Sequence, residues 1–151
     1  MEIKIKRISA TAKVPTRGSE HAAGYDLYAD IPANLTIYPN ETKLIPTGIA
    51  MEIPEGYFGA IYPRSGLALK QGLRLANSVA IIDEDYRGVV GIALHNDSDT
   101  VRVIEPAERI AQIVFQPYLE ASFLEVDELS NTERGDGGFG HSGTKWGVNY
   151  V

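Results

Sequence analysis

Cysteine is absent from the 151-residue sequence. That excludes disulfides, zinc–thiolate centres, iron–sulfur clusters and cysteine nucleophiles. Long apolar runs are missing too. The longest covers residues 79–82, only four positions, far short of the ~20 needed to cross a bilayer as a helix. Residues 1–7 alternate in polarity and hold no apolar signal-peptide core. Positive charge is in short supply: 14 Lys and Arg face 20 Asp and Glu, a net charge of −6. A protein that binds nucleic acid through general phosphate attraction carries a clustered basic footprint instead. These absences leave a soluble globular domain, expected in the cytoplasm (in a eukaryote, the nucleus is the alternative), with no membrane partner and no direct nucleic-acid binding.

What is present is unevenly spread. Six of the 15 glycines fall within residues 135–147, whereas all eight prolines lie at or before Pro117. The chain therefore reads as a proline-punctuated body, residues 1–129, and a glycine-rich tail, residues 130–151. The tail lacks alternation and its glycines cost ordering entropy, so it is expected to be a flexible arm that orders when something binds it. Phe139 and Trp146 set it apart from an ordinary frayed terminus.

The body carries the period-2 pattern of half-buried strands. Ile3 and Ile5 alternate with Lys4 and Lys6; Ile49, Met51 and Ile53 share one face; Phe58, Ala60 and Tyr62 repeat the pattern. Residues 79–82, 89–94, 101–104 and 110–115 are short β-branched runs, with Pro, Gly, Asn and Asp between them. Many short strands with closely spaced turns predict an all-β sandwich, jelly roll or barrel. Only residues 65–71 look helical.

Several residues have the chemistry of a site. Asp83-Glu84-Asp85-Tyr86-Arg87-Gly88 follows the most apolar run. It reads either as an acidic, solvated hairpin turn or as a loop aiming one carboxylate inward as a base. Asp83 is the better candidate, because it abuts Ile82 and should be drier than Glu84 or Asp85. Pro63-Arg64-Ser65-Gly66 precedes the helix, where Ser65 is either an N-cap or part of an anion site with Arg64 and the backbone N–H groups. Asp26 lies in an apolar–aromatic strand. Gln112 is expected to share a strand face with Ile110 and Val114. In the tail, Arg134, Ser142 and Lys145 offer charge and a hydroxyl among glycines that let the backbone approach an anion. The three histidines, His21, His95 and His141, have no ligand spacing, and no Ser-His-Asp arrangement stands out.

Taken in order, Ala23-Gly24-Tyr25-Asp26-Leu27, Pro63-Arg64-Ser65-Gly66-Leu67-Ala68, Ile82-Asp83-Glu84-Asp85-Tyr86-Arg87-Gly88, Arg109-Ile110-Ala111-Gln112-Ile113-Val114-Phe115 and Arg134-Gly135-Asp136-Gly137-Gly138-Phe139-Gly140 resemble the five ordered motifs of the trimeric dUTPases, the deoxyuridine triphosphate nucleotidohydrolases. The resemblance spans residues 23–143. It implies a jelly-roll-like (β-clip) fold and a homotrimer with shared active sites, whose arm closes over a site elsewhere in the trimer. It also implies Mg2+-assisted hydrolysis of dUTP to dUMP and pyrophosphate, by water attack on the α-phosphorus. That reaction limits uracil incorporation into DNA and supplies dUMP for dTMP synthesis.

Carried over motif by motif, the resemblance makes Asp83 the general base and packs Tyr86 against the deoxyribose. The hairpin 76–86 supplies the uracil pocket, with Asn77, Ala80 and Ile82 in contact positions. Arg64, Ser65, Gly66 and Gln112 hold the triphosphate, and Asp26 holds Mg2+ through its waters. Arg134, Gly138, Gly140, His141 and Ser142 cap the phosphates, and Phe139 stacks on uracil.

Two positions depart from the family pattern. Ala80 stands where glycine is usual and is strained if its φ is positive. His141 replaces a hydroxyl residue. Two rival functions follow from the same fold or the same ligand. One is a dCTP deaminase-like enzyme, which places a Glu base where Ala93 stands; the other is a nucleotide-binding regulatory trimer that no longer hydrolyses.

Overall fold

The computed structural model describes residues 1–139. They fall into two units, Met1–Leu119 and a second beginning at Glu120. The first unit holds all regular structure among the described residues. Its elements are β1 (Lys4–Arg7), β2 (Thr16–Arg17), β3 (Tyr25–Tyr28), β4 (Leu35–Ile37), β5 (Thr42–Pro46), β6 (Ile49–Glu52), β7 (Tyr57–Tyr62), α1 (Ser65–Gln71), β8 (Leu73–Leu75), β9 (Ala80–Ile82), β10 (Gly91–Asn96), β11 (Arg102–Ile104) and β12 (Arg109–Pro117). The largest sheet runs β2-β3-β12-β7-β9, a second runs β5-β10-β8, and β1-β6 and β11-β4 form two-stranded ribbons. The expected all-β, jelly-roll-like body with one short helix is what forms.

Isoleucine dominates the core: Ile37, Ile45, Ile49, Ile61, Ile104, Ile110 and Ile113 are fully buried. A β-branched side chain keeps few rotamers and packs well on a pleated surface, so it loses little entropy there. Burying each such side chain stabilises the fold by about 1.5–3 kcal/mol.

The structure corrects the sequence pattern in four places. Alternation fails in β6, where Ile49, Ala50 and Met51 are all buried, and in β7, where Gly59, Ala60 and Ile61 are. Both faces of these strands are covered, and a strand covered twice has no polar side to alternate with. Second, the cap of α1 is Arg64, in extended conformation and without a side-chain cap bond, so Ser65 is the first helical residue rather than the N-cap.

Third, residues 76–86 are not a hairpin. β8 pairs with β10 and β9 pairs with β7, so residues 76–79 carry the chain from one sheet to another, with Ser78 at φ 61°. Residues 83–88 cross back to β10 and likewise join strands of different sheets. Fourth, Gln112 does not share a face with Ile110. The register between β12 and β3 shifts between Arg109 and Ala111. One extra residue in a strand turns its side-chain alternation over. Ile110 and Ala111 are therefore both in the core, while Gln112 and Val114 are half-buried.

The second unit has no strand or helix among residues 120–139. Residues 120–129, grouped by sequence with the β body, belong to it, and Phe123, Leu124 and Leu129 are exposed. Its local order is a turn: Gly135 donates its N–H to Thr132 O at 3.1 Å, and Gly137 donates to Arg134 O at 3.1 Å. The expectations for Gly140, His141, Ser142, Lys145 and Trp146 fall outside the described residues.

Candidate active site

Sheet register assembles the first part of the site. Gln112 of β12 stands opposite Asp26 of β3 on one side and Tyr62 of β7 on the other. Residues directly opposite across antiparallel strands project to the same face. Three segments far apart in sequence are therefore level on one sheet face. Tyr62 also leads straight into Pro63-Arg64-Ser65, so α1 starts at the end of that row. Gln112 fastens the corner by donating its side-chain N–H to Pro63 O at 3.1 Å.

Asp26 is the buried charge of the row, 8% exposed. One carboxylate oxygen lies 3.0 Å from Arg64 Nε and the other 3.3 Å from Arg109 Nη1. The register shift in β12 lets Arg109 reach Asp26 while its neighbours Ile110 and Ala111 enter the core. Around this trio opens a cleft of about 600 Å3. Asp26, Arg64, Ser65, Gly66 and Gln112, all anticipated, line it together with Lys70, Glu108 and Arg109. Lys70 and Arg109 were not anticipated. Arg109 stood inside a recognised motif, but a cation beside an apolar strand carries no pattern that marks it out. With three cations against two carboxylates, the cleft is locally cationic in a chain of net charge −6. Hydrogen-bond donors and charge of this kind suit a phosphate.

The acidic loop lies elsewhere on the same unit. Asp83, Glu84 and Asp85 line a cavity of about 550 Å3 with Phe58, Ile81 and Tyr118, and none of these residues lines the cationic cleft. Asp83 is exposed, whereas Glu84 is half-buried with its carboxylate accepting the Gly56 N–H at 2.6 Å. The expectation that Asp83 is the drier residue is thus reversed: next to Ile82 in sequence, Asp83 continues past the end of β9 into solvent.

Tyr86 donates its hydroxyl to Val89 O at 3.1 Å, and its ring lies over Gly88, where any side chain would collide with it. Ala80 sits within β9 and is not among the residues with positive φ, so its methyl strains no backbone. Asn77 is exposed in the crossing segment, and Ile82 is buried against the core. In the second unit Arg134 Nε donates to Gly137 O at 2.8 Å, Gly138 has open space around it, and Phe139 is exposed.

The groups with shifted pKa lie outside both cavities. A hydrogen bond from Arg74 holds Asp97 below the usual carboxylate range. The surface pair Lys4–Glu52 raises the one and lowers the other. His95 belongs to the same surface network as Asp97, with Nε2 3.2 Å from Asp97 and Nδ1 2.9 Å from Thr42 Oγ1.

Among the described residues no three carboxylate or histidine side chains converge as a metal cage. Of the two carboxylates of the cleft, Asp26 is the buried one, and both its oxygens already face guanidinium groups. That set does not fit a bare cation. It does fit one that arrives on a phosphate chain with its own waters, the usual manner of Mg2+.

The molecule is thus an all-β, jelly-roll-like protein with a cationic cleft on one flank and a carboxylate-lined cavity on another. The dUTPase family model matches residues 10–143. The deoxyuridine 5'-triphosphate nucleotidohydrolase of Syntrophotalea carbinolica is 47% identical over 141 residues, covering 93% of this chain and 96% of that protein. The one from Shewanella sp. (strain ANA-3) is 46% identical over 148 residues, covering 96% and 97%. Among solved structures, the Staphylococcus bacteriophage 80alpha dUTPase with dUPNHPP superposes with a TM-score of 0.86 at 32% identity, covering 95% of this chain and 99% of that one. The chain belongs to the dUTPase family. Membership is consistent with a divalent-metal requirement.

Proposed function

We propose that this protein hydrolyses dUTP to dUMP and pyrophosphate, as a homotrimer in the cytoplasm or, in a eukaryote, the nucleus. The observation that carries the reading is the row Asp26–Gln112–Tyr62, which draws three of the five motifs into one cationic cleft. Arg64, Ser65, Gly66 and Gln112 hold the triphosphate there, and Arg109 and Lys70 add charge. Asp83 takes a proton from water as the water oxygen bonds to the α-phosphorus. The bond from that phosphorus to the bridging oxygen breaks, and pyrophosphate leaves. Asp83 needs no covalent intermediate for this, only a place within hydrogen-bond reach of the water. In this reading the base and the cleft, which share no lining residue within one chain, meet when copies associate, each site drawing on more than one subunit.

Tyr86 packs on the deoxyribose and leaves no room for a 2'-hydroxyl. Residues 76–86 receive uracil, with Asn77 and the backbone of Ala80 and Ile82 as its contacts. Residues 130–151 act as an arm that closes on the site. Within it Arg134, Gly138, Gly140, His141 and Ser142 meet the phosphates and Phe139 stacks on the base. Asp26 would receive the waters of a Mg2+ ion carried on the triphosphate, and that ion, when bound, would offset phosphate charge and make the phosphorus more electrophilic.

The rivals find less support. Ala93 on β10 brings no carboxylate to the place of a deaminase base. Ala80 adds no backbone strain, which takes away one ground for a site that cannot turn over. Incubation with dUTP, dCTP, dTTP and UTP, followed by product separation, tests the reading. Pyrophosphate and dUMP from dUTP alone are expected. Ammonia from dCTP, or binding of dUTP without products, overturns it.

Gly24 gives a sharper test of the cleft. A Cβ there would stand 2.6 Å from Gln112 Oε1. Gly24→Ala should push the Gln112 side chain off Pro63 and loosen the Arg64 corner. Loss of a hydrogen bond to a charged group predicts a rise in KM for dUTP of about tenfold. An unchanged KM removes Gln112 from triphosphate binding.

A further inference from the structure

Glu84 has a part that the carboxylate count alone does not reveal. Its side chain turns away from solvent, and Oε2 accepts the N–H of Gly56 at 2.6 Å, across 28 residues of sequence. Gly56 lies in the turn between β6 and β7, a turn closed by the Tyr57 N–H on Pro54 O at 3.2 Å. The same glycine accepts the Tyr118 N–H on its carbonyl at 3.1 Å, just past the end of β12. Glu84 therefore grips a residue that leads into β7 and is tied through its carbonyl to the chain leaving β12, two neighbouring strands of the main sheet.

The loop around Glu84 is braced locally as well. Tyr86 donates its N–H to Asp83 O at 3.2 Å, and Arg87 Nη1 donates to the carbonyls of Glu84 and Tyr86. These bonds stiffen the loop but stay within it. The grip on Gly56 ties it to another element. Asp83 is the adjacent residue and has no side-chain bond of its own among the described residues.

We propose that Glu84 is a positioning residue: its carboxylate, anchored on the Gly56 amide, sets where the loop presents Asp83. The proposal rests on the reading of Asp83 as the base. It asks for reach rather than charge, which separates two conservative variants. Glu84→Gln keeps an oxygen at the same reach and loses the charge. Glu84→Asp keeps the charge and draws the oxygen back by about 1.5 Å, one carbon–carbon bond.

Misplacing a catalytic group by an ångström costs up to about a hundredfold in rate. Glu84→Asp and Glu84→Ala should therefore lose about tenfold or more in kcat, with KM for dUTP moving by less than about twofold, the signature of an interaction felt in the transition state. Glu84→Gln should keep kcat within about twofold of the parent. Steady-state kinetics on the full chain, with melting curves for each variant, reads this out. If Glu84→Gln falls as far as Glu84→Asp, or if Glu84→Asp keeps its kcat, the positioning role is wrong. Asp83→Asn, run beside them, isolates the underlying reading: full activity there removes the base, whatever the Glu84 variants do.

Discussion

Asp83→Asn is expected to bind dUTP about as well as the parent protein and to lose at least about a hundredfold in kcat. Asparagine has the same shape and is uncharged, and its amide cannot take a proton from water at neutral pH. The loop should keep its form, because its bonds run through Glu84, Tyr86, Arg87 and the backbone of Asp83 rather than through the Asp83 side chain. Asp83 is also exposed, so the change leaves no buried polar group unpaired. Calorimetric titration of the variant with dUTP measures binding, and pyrophosphate release measures turnover. A variant that turns over at the parent rate takes Asp83 out of the base role. One that neither binds nor turns over makes Asp83 a binding residue instead.

A chain ended after Asn131 is expected to fold and associate as the full chain does, yet to lose about a hundredfold or more in kcat/KM. Folding should survive because every residue of the core cluster lies at or before Phe115. The described residues from Glu120 onward contribute none. Catalysis should suffer for two reasons. Removing Arg134 takes away a guanidinium suited to bidentate phosphate contact. Removing Phe139 and the glycines takes away the segment proposed to shut water out and align the α-phosphate. Circular dichroism, sedimentation and kinetics on the truncated protein separate the outcomes. Retained activity sinks the role of the arm, and loss of folded structure makes the segment a structural part.

The residues of the cleft were legible one at a time. Asp26, Arg64, Ser65 and Gln112 each stood out as polar groups in apolar or glycine-bearing surroundings, and their order marked the family. The extra residue in β12 was hidden, because a bulge leaves composition and run length unchanged. It moved Ile110 to the core and brought Arg109 to Asp26. The pairing of β8 and β9 was hidden as well. Two short apolar runs around a turn look like a hairpin, but pairing depends on which distant strand offers a better face, and here both chose partners elsewhere.

The contrast between Asp83 and Glu84 is the clearest case of this division. By itself the sequence determined an all-β body with one helix at residues 65–71, no covalent cysteine chemistry, no apolar run of membrane-spanning length, and five motifs in family order. Those properties reside in composition and short-range periodicity, which a single chain displays directly. Which carboxylate faces inward was decided by tertiary structure alone. Glu84 is half-buried because a backbone N–H 28 residues away lies within its reach, and Asp83 is exposed because the strand before it ends. The cationic cleft is likewise a product of tertiary structure: a chain with an excess of negative charge gathers three cations at one place because β3, β12 and β7 pair, which places Arg109, and because α1, with Arg64 and Lys70, follows β7 directly. Such contacts join residues by geometry rather than by spacing, and no local pattern encodes them.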